Sequence, residues 1–293
     1  MNKTFFLTFL IVLTAQGASA GEAVIFSRVT DGYWQIWAMN PDGTKQTQIT
    51  NSQTDKRNPV CMNNGTGVLY RTNNGQLFFK NLSSSEEREL LSKYQIINNP
   101  DVCLSNNDLL FVRFDPREND ISDIWASDPR GNDPRILTKD KRLKYQPVYN
   151  ADCTEIAFVK ADDNKGAHHI WLMSASGENL RQLTDGEKGF DVLPDFFLDR
   201  KGLVFSSNRD GEDYEIYAVN LEDRSLTKLT DNAVLDTSPA VSHNGGIVFV
   251  SSRSGSQQLW RMNVDGTNAV QLTDGQDEAI DPNWCEVTTD KER

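Results

Sequence analysis

The sequence predicts an all-β fold, a six-bladed β-propeller with four-stranded antiparallel blades. The first observation is a repeated phrase, clearest in IWLMSASGENLRQLTDG at 170–186 and LWRMNVDGTNAVQLTDG at 259–275. Six copies follow one another at intervals of 41 to 47 residues. The second is that each period contains four short apolar runs with the composition of strands. The third is that no strong amphipathic helix separates these runs, so the repeats are of the all-strand kind that closes into a ring.

A proline marks the first strand of each unit, and an apolar run marks the second. A strand tolerates proline at its first residue, because no ladder N–H is needed there. The first strands are predicted to open at Pro59, Pro100, Pro147, Pro194, Pro239 and Pro282. The second strands begin at Ala23, Gly67, Leu109, Glu155, Gly202 and Gly246. Clusters of Gly, Asp and Asn such as SNRDGED at 207–213 predict the turns that follow.

The third and fourth strands make up the repeated phrase itself. The third strands begin at Gln35, Gln76, Asp123, His169, Glu215 and Gln258. A turn such as VDGT at 264–267 leads into the fourth strand, and the six fourth strands end at Thr50, Leu91, Thr138, Thr184, Thr230 and Thr273. Because five of these six are threonine, we expect their hydroxyls to bond to nearby backbone.

The phase of the repeat predicts how the ring closes. The repeats start with a second strand at Ala23 and end with a lone first strand, PNWCEV, at Pro282. We expect these two segments to complete one blade, so that the first blade is shared by the N- and C-termini. Such closure removes the open sheet edges that an unclosed array would present.

The aromatic residues recur at the same two places in every unit. One set is Phe26, Tyr70, Phe111, Phe158, Phe205 and Phe249, and the other is Trp37, Phe78, Trp125, Trp171, Tyr217 and Trp260. A residue type needed in all six units indicates packing between blades. A sugar-stacking platform is the alternative, because aromatic faces also bind carbohydrates.

The N-terminus predicts export. Lys3 precedes the apolar run FFLTFLIVLTA, and ASA at 18–20 is typical of a signal-peptide cleavage site. We therefore expect residues 1–20 to be a signal peptide and residues 21–293 to form the propeller. No later run is long enough to cross a bilayer, so no membrane insertion is expected. The periplasm is the favoured compartment, with secretion as the alternative.

The four cysteines predict two disulfides in an exported chain. Cys285 and Cys103 stand three residues after their prolines and Cys61 stands two after, so Cys61 points to the opposite side of its strand. This predicts the pairs Cys61 with Cys285, which locks the shared blade, and Cys103 with Cys153. Free buried thiols are the alternative.

Composition and motifs limit the chemistry that the chain can perform. A formal net charge of −12 argues against a nucleic-acid partner, which needs clustered Lys and Arg. No catalytic motif occurs, and only three histidines, His168, His169 and His243, are present. The segment ADDNKG at 161–166 is similar to a calcium loop, but its twelfth position from Asp162 is Met173 and not glutamate. We therefore predict no catalytic residues, no metal site and no resident cofactor.

The loops that enter successive first strands differ in charge, which predicts a polarised face. Because these loops gather at one end of a propeller, we expect that face to bind a protein or peptide, more strongly at low salt. The basic residues are Lys139, Lys141, Arg142 and Lys144, and the acidic ones are Asp191, Asp236, Asp277, Glu278 and Asp281. Ordinary solvated loop charge is the alternative interpretation. Capture of a cation such as calcium by the acidic loops is a weaker form of the hypothesis.

The repeat as a whole closely resembles that of the TolB propeller family of the bacterial Tol-Pal envelope system. The most specific copies are FSSNRDGEDYEIYAVNLEDRSLTKLTD at 205–231 and FVSSRSGSQQLWRMNVDGTNAVQLTD at 249–274. The first blade begins close to the predicted cleavage site, so the resemblance covers the propeller and we expect the family's N-terminal α/β domain to be lacking. The resemblance implies a periplasmic propeller, which we expect to be a monomer, that binds another protein of the cell envelope without catalysis. A carbohydrate-active enzyme of the polysaccharide lyase type is the alternative.

Overall fold

The structure, a computed structural model, is a ring of six antiparallel four-stranded sheets, as predicted. It describes residues 21–62, 65–84, 86–94, 96–115, 118–162, 166–186 and 189–287. The predicted signal peptide, 1–20, lies outside these residues. The described residues form 24 strands and no helix, and accordingly no helix able to cross a membrane is found among them.

The strands occupy four concentric positions. The innermost strands are β4 (Lys56–Met62), β8 (Ile97–Val102), β12 (Lys144–Tyr149), β16 (Asp191–Phe196), β20 (Asp236–Val241) and β24 (Ala279–Val287). The second strands are β1 (Gly21–Thr30), β5 (Gly67–Thr72), β9 (Leu109–Asp115), β13 (Glu155–Ala161), β17 (Gly202–Ser207) and β21 (Gly246–Ser251). The third strands are β2 (Tyr33–Met39), β6 (Leu77–Asn81), β10 (Glu118–Ser127), β14 (His168–Ser174), β18 (Glu215–Asn220) and β22 (Gln258–Asn263). The outer strands are β3 (Thr47–Gln48), β7 (Glu87–Leu90), β11 (Arg135–Ile136), β15 (Arg181–Gln182), β19 (Leu226–Lys228) and β23 (Val270–Gln271).

Blade 1 is shared by the two ends of the described chain. Its order is β24-β1-β2-β3, and β24 pairs with β1 from Gly21 opposite Val287 to Arg28 opposite Ala279. Blades 2 to 6 are each built from four consecutive strands, beginning with β4 and ending with β23. The predicted closure is therefore confirmed.

The innermost strands begin three residues before their prolines, so the prediction that they open at proline was wrong. Every one of these strands carries a bulge at that point. The residue before each proline has a positive φ, at Asn58, Asn99, Gln146, Leu193, Ser238 and Asp281. Proline has no N–H to give to the ladder, so the bulge falls where a hydrogen bond is missing in any case.

The hydrophobic core lies between neighbouring blades. The second-strand aromatics are the most deeply buried; Phe26, Phe158 and Phe249 are 0% exposed, which leaves no ring face for a sugar. Phe26 packs with Val248 and Leu259 of blade 6, as interblade packing requires. The third-strand aromatics are mostly only partly buried against the same clusters, as are Trp37, Trp125, Trp171 and Trp260.

The repeated threonines serve the backbone, as predicted. The hydroxyl of Thr273 accepts a hydrogen bond from the Leu259 N–H at 2.9 Å and donates to the Gln258 side chain at 2.7 Å. The same backbone bond, between 2.8 and 3.0 Å long, is made by Thr50, Thr138, Thr184 and Thr230. Each threonine thus ties the end of an outer strand to the third strand of its blade.

Both predicted disulfides are present. Cys61 of β4 is bonded to Cys285 of β24, with Cα atoms 5.3 Å apart, and this bond joins blade 2 to the shared blade. Cys103 is bonded to Cys153, with Cα atoms 5.6 Å apart, and this bond joins blades 3 and 4. No free cysteine remains.

Candidate functional site

The six innermost strands surround a central channel. Its mouth opens on what we call the upper face, which carries the loops from each outer strand to the next innermost strand and the loops between second and third strands. The residues before the prolines and the prolines themselves line this mouth. The bulges therefore place six side chains that differ between blades, from Asn58 to Asp281, around one opening.

Deeper in the channel, the residue after each proline forms a ring of alternating character. Blades 2, 4 and 6 contribute Val60, Val148 and Ala240, and blades 3, 5 and 1 contribute Asp101, Asp195 and Asn283. Sequence reasoning missed the two aspartates. The sequence feature that could have identified them is a carboxylate at a position that holds only small apolar residues or asparagine in the other four units.

Each channel aspartate also fastens its own innermost strand to the next one. Asp101 accepts a hydrogen bond from the Tyr149 N–H at 2.8 Å, and Asp195 accepts one from the Val241 N–H at 2.7 Å. Burial raises the pKa of both carboxyls to about 7, and the backbone donors oppose this only in part. Two acids that titrate near neutrality therefore lie at the centre of the ring.

The predicted basic loop divides into exposed and buried residues. Lys139 and Lys141 are exposed and Arg142 is partly buried. Lys144 is 1% exposed, and its ammonium lies 2.5 Å from the Asp140 carboxylate and 2.9 Å from the Arg142 carbonyl oxygen. Lys144 therefore holds the loop in place and has no donor left to offer a partner.

Two of the predicted acidic residues are also turned inward. Asp191 is 2% exposed and Asp236 is 0% exposed, and each receives a guanidinium N–H at 2.6 Å, from Arg209 and Arg253 respectively. Both aspartates stand three residues before a proline, where the innermost strand has already begun. Through these bonds they anchor that strand within its own blade.

Asp281 is bonded across the closure between blades 1 and 2. Its carboxylate lies 2.6 Å from Arg57 Nε and 3.1 Å from Arg57 Nη2, and it accepts the Asn58 N–H at 3.2 Å. Burial raises the pKa of the Asp281 carboxyl, but the hydrogen bonds and charge of Arg57 outweigh it and hold the pKa below its ordinary value. Of the predicted acidic residues, Asp277 is exposed and Glu278 is partly exposed.

Among the described residues, the fully exposed charges of the upper-face loops still separate by sign. The basic arc, on blades 2 to 4, comprises the exposed Lys93, Lys139 and Lys141 and the partly exposed Arg57, Arg71 and Arg142. The partly exposed charges are mixed, because Asp55, Asp123, Asp140 and Asp162 lie on the basic side and Arg28, Arg209 and Arg253 on the acidic side. The acidic arc, on blades 5, 6 and 1, comprises the exposed Asp31, Asp185, Asp210, Glu212, Asp213, Asp231, Asp274 and Asp277. Half of the acidic-arc residues, Asp31, Asp210, Glu212 and Asp213, come from loops between second and third strands, which the sequence prediction did not include.

The two histidines near the upper face form hydrogen bonds with residues of their own and neighbouring blades. His169 is 2% exposed and lies between Asp191, 3.3 Å away, and Asp162, 3.5 Å away; its hydrogen bond to Asp191 raises its pKa. His168 Nδ1 lies 2.5 Å from the Tyr145 hydroxyl, and burial lowers its pKa. Among the described residues, no three His, Cys, Asp or Glu side chains are arranged to hold a metal ion. The absence of a resident cofactor stays a prediction.

Comparison of the sequence identifies relatives with the same repeat. Residues 122–289 match the TolB β-propeller domain family. An uncharacterized protein of Agrobacterium fabrum is 27% identical over 234 residues, which are 75% of this chain and 75% of that protein. The Tol-Pal system protein TolB of Wolbachia pipientis is 34% identical over 89 residues, 30% of this chain and 21% of that protein. The match thus spans about a fifth of that TolB.

Comparison of the structure shows the same ring in proteins of different activity. TolB from Acinetobacter baumannii superimposes with a TM-score of 0.76 at 17% identity, covering 90% of this chain and 66% of that one. An oligogalacturonate lyase solved with manganese gives a TM-score of 0.58 at 18% identity, covering 85% of this chain and 73% of that one. At these identities the likeness shows the fold alone.

Proposed function

The chain belongs to the TolB β-propeller family, and we propose that it is a non-catalytic protein-binding module of the bacterial cell envelope. The proposed binding surface is the upper face. The observation that carries the proposal is the separation of exposed charge on that face into a basic arc and an acidic arc. Such a layout orients a partner of complementary charge and raises its association rate.

Two observations support the periplasm as the compartment of action. The chain has two disulfides and no free cysteine, which is typical of proteins that fold in an oxidising environment. A relative of this chain is a protein of the Tol-Pal system. We therefore propose a role among envelope proteins, with a protein or peptide segment as the ligand.

A polysaccharide lyase is the second candidate, and the channel carboxyls favour it. Asp101 and Asp195 have pKa values of about 7, which is the range that suits an acid–base catalyst. Each, however, accepts a backbone N–H bond that joins two innermost strands. A polyuronate would also be repelled by the acidic arc. Release of unsaturated products from oligogalacturonate, abolished by Asp195→Asn, would establish the enzyme.

The proposed function is tested by capture from periplasmic extract. Residues 21–293 are immobilised as the wild type, as the upper-face variant Lys139→Glu/Lys141→Glu and as the control Lys45→Glu/Lys201→Glu. The control makes the same change of net charge at exposed positions on the opposite face. We expect the wild type and the control to retain the same set of proteins and the upper-face variant to lose them. Their retention should weaken as salt rises from about 50 to about 500 mM. Equal capture by both variants, or capture that salt leaves unchanged, would contradict the proposal.

A further inference from the structure

Two arginines of blade 2 have no counterpart in the other five blades. Arg57 stands two residues before its proline, where the other units have Asn98, Tyr145, Val192, Thr237 and Ile280. Arg71 follows the second-strand aromatic residue, where the other units have Ser27, Val112, Val159, Ser206 and Val250. Both positions are therefore charged in one unit of the repeat only, and the six-fold architecture does not require an arginine at either.

The two arginines are neighbours on paired strands, and each binds a residue that lines the mouth of the channel. Arg57 and Arg71 are direct partners in the β4–β5 ladder. Arg57 binds Asp281, and Arg71 Nε donates to the Asn58 side-chain oxygen at 2.8 Å. Asn58 and Asp281 line the mouth. The pair is thus anchored on two residues that face the opening.

The two arginines differ in the negative charge around them. The carboxylates of Asp281, Asp55 and Glu278 all raise the pKa of Arg57, whereas Asp281 alone does so for Arg71. Among the described residues, Asp281 is the one carboxylate that forms an ion pair with either arginine, and it binds Arg57. Arg71 Nη1 has a single contact, with the Thr72 carbonyl oxygen at 3.4 Å. Burial and the charge of Arg57 lower the pKa of Arg71, and Asp281 offsets this only in part. Burying part of a cation without a paired anion costs free energy, because the charge loses hydration. A carboxylate that binds beside the cation offsets this desolvation cost.

We propose that Arg71, supported by Arg57, is a carboxylate-binding subsite at the channel mouth that takes an Asp or Glu side chain of a peptide segment. This inference rests on the proposed protein-binding function and names the part of the upper face that recognises acidic groups. An arginine fork matches the planar carboxylate and can bind it through two parallel hydrogen bonds.

The surroundings of the pair favour a peptide over an acidic oligosaccharide. The Arg57 guanidinium lies over the Trp34 ring, 4.6 Å from its centroid, so it covers the face on which a sugar ring would stack. A uronate chain carries negative charge along its whole length and meets the acidic arc beyond the channel. A peptide can carry acidic residues toward blade 2 and basic residues toward blades 5, 6 and 1.

The test uses purified full-length mature chain and three probes in fluorescence anisotropy. The probes are a labelled peptide of alternating aspartate and glycine with one phenylalanine, the same peptide with asparagine for aspartate, and labelled trigalacturonate. The variants are Arg71→Gln, which retains an N–H for Asn58, Arg71→Lys, which keeps the charge but not the fork, and Lys93→Gln. Lys93 is an exposed residue of the same basic arc, so its variant is a control for loss of one charge. Thermal unfolding of each variant verifies that it is folded.

We expect the aspartate peptide to bind the wild type and the asparagine peptide not to bind. Arg71→Gln should weaken binding by about tenfold and Arg71→Lys by less, whereas Lys93→Gln should change it by about twofold or less. Equal losses in Arg71→Gln and Lys93→Gln would overturn the subsite, as would trigalacturonate binding in place of the peptide. If the upper face captures no protein from extract while the peptide still binds through Arg71, the proposed function fails and the subsite stands. If proteins are captured but the peptide does not bind through Arg71, only the subsite is contradicted.

Discussion

The raised pKa of the Asp101 carboxyl in the channel gives a prediction whose size can be calculated. The pKa of this group is about 7 in the folded protein, against about 3.9 for an aspartate in an unfolded chain. Between these two values the folded state binds more protons than the unfolded state. The free energy of unfolding therefore falls as pH rises through this window, and above it the ionised carboxylate lowers the free energy of unfolding by a constant amount.

The size of the effect follows from the same two values. One such carboxyl predicts a loss of roughly 2 to 3 kcal/mol of stability between about pH 5 and about pH 8. This is an upper bound, because the side chain is partly exposed to the channel. Asp101→Asn removes the titration, and the amide oxygen can still accept the Tyr149 N–H that the carboxylate accepts at 2.8 Å. We thus expect the variant to be more stable than the wild type at pH 8 and similar to it at pH 5.

The assay is urea unfolding followed by tryptophan fluorescence at both pH values. Asp277→Asn, at an exposed position of the upper face, is the matched control and should keep the pH dependence of the wild type. The reasoning is refuted if Asp101→Asn shows the same loss between the two pH values as the wild type. If Asp101→Asn were less stable than the wild type by the same amount at both pH values, the carboxylate would matter only as a hydrogen-bond acceptor.

Three further predictions concern closure and the repeat. Replacing Cys61 and Cys285 by serine opens a loop of 224 residues and should lower the free energy of unfolding by about 5 kcal/mol through loop entropy. The same change at Cys103 and Cys153, which are 50 residues apart, should lower it by about 4 kcal/mol. Denaturant unfolding of the two double variants measures this order, and the reverse order would contradict it. Asp281→Asn should cost about 2 kcal/mol, because it leaves Arg57 beside a neutral amide, whereas Asp277→Asn should be within about 0.5 kcal/mol of the wild type; equal effects in thermal unfolding would disprove the closing ion pair. Thr273→Val keeps the shape of the side chain but leaves the Leu259 N–H unpaired, so it should destabilise by about 1 to 3 kcal/mol, and an unchanged midpoint would show that the repeated threonine is dispensable.

The fold could be predicted from the sequence because every blade repeats the same information. Period, strand composition and the phase of the ends fix six blades and a shared closure, and the alternation of side chains along a strand was enough to pair Cys61 with Cys285. The start of the innermost strands could not be predicted in this way. The pattern predicts proline as the first residue, but in the structure each innermost strand continues through a bulge at the proline and begins three residues earlier.

That shift explains why part of the candidate site was misassigned. Lys144, Asp191 and Asp236 look like loop charges when the strand is thought to begin at proline, yet they stand at its first residue and pack inward. Asp101 and Asp195 are visible in the sequence as the two carboxylates at a position that holds valine, alanine or asparagine in the other four units. Their significance depends on burial in the channel, which a single strand pattern does not reveal.

The central claim, that the upper face binds a protein, is tested most directly by photo-crosslinking in intact cells. A benzoylphenylalanine residue is placed at Gln276, in the upper-face loop before β24, and in a second strain at Val264, in an exposed turn of the opposite face. We predict a discrete protein adduct from position 276 that is absent from position 264. Adducts from position 264 alone would contradict the account.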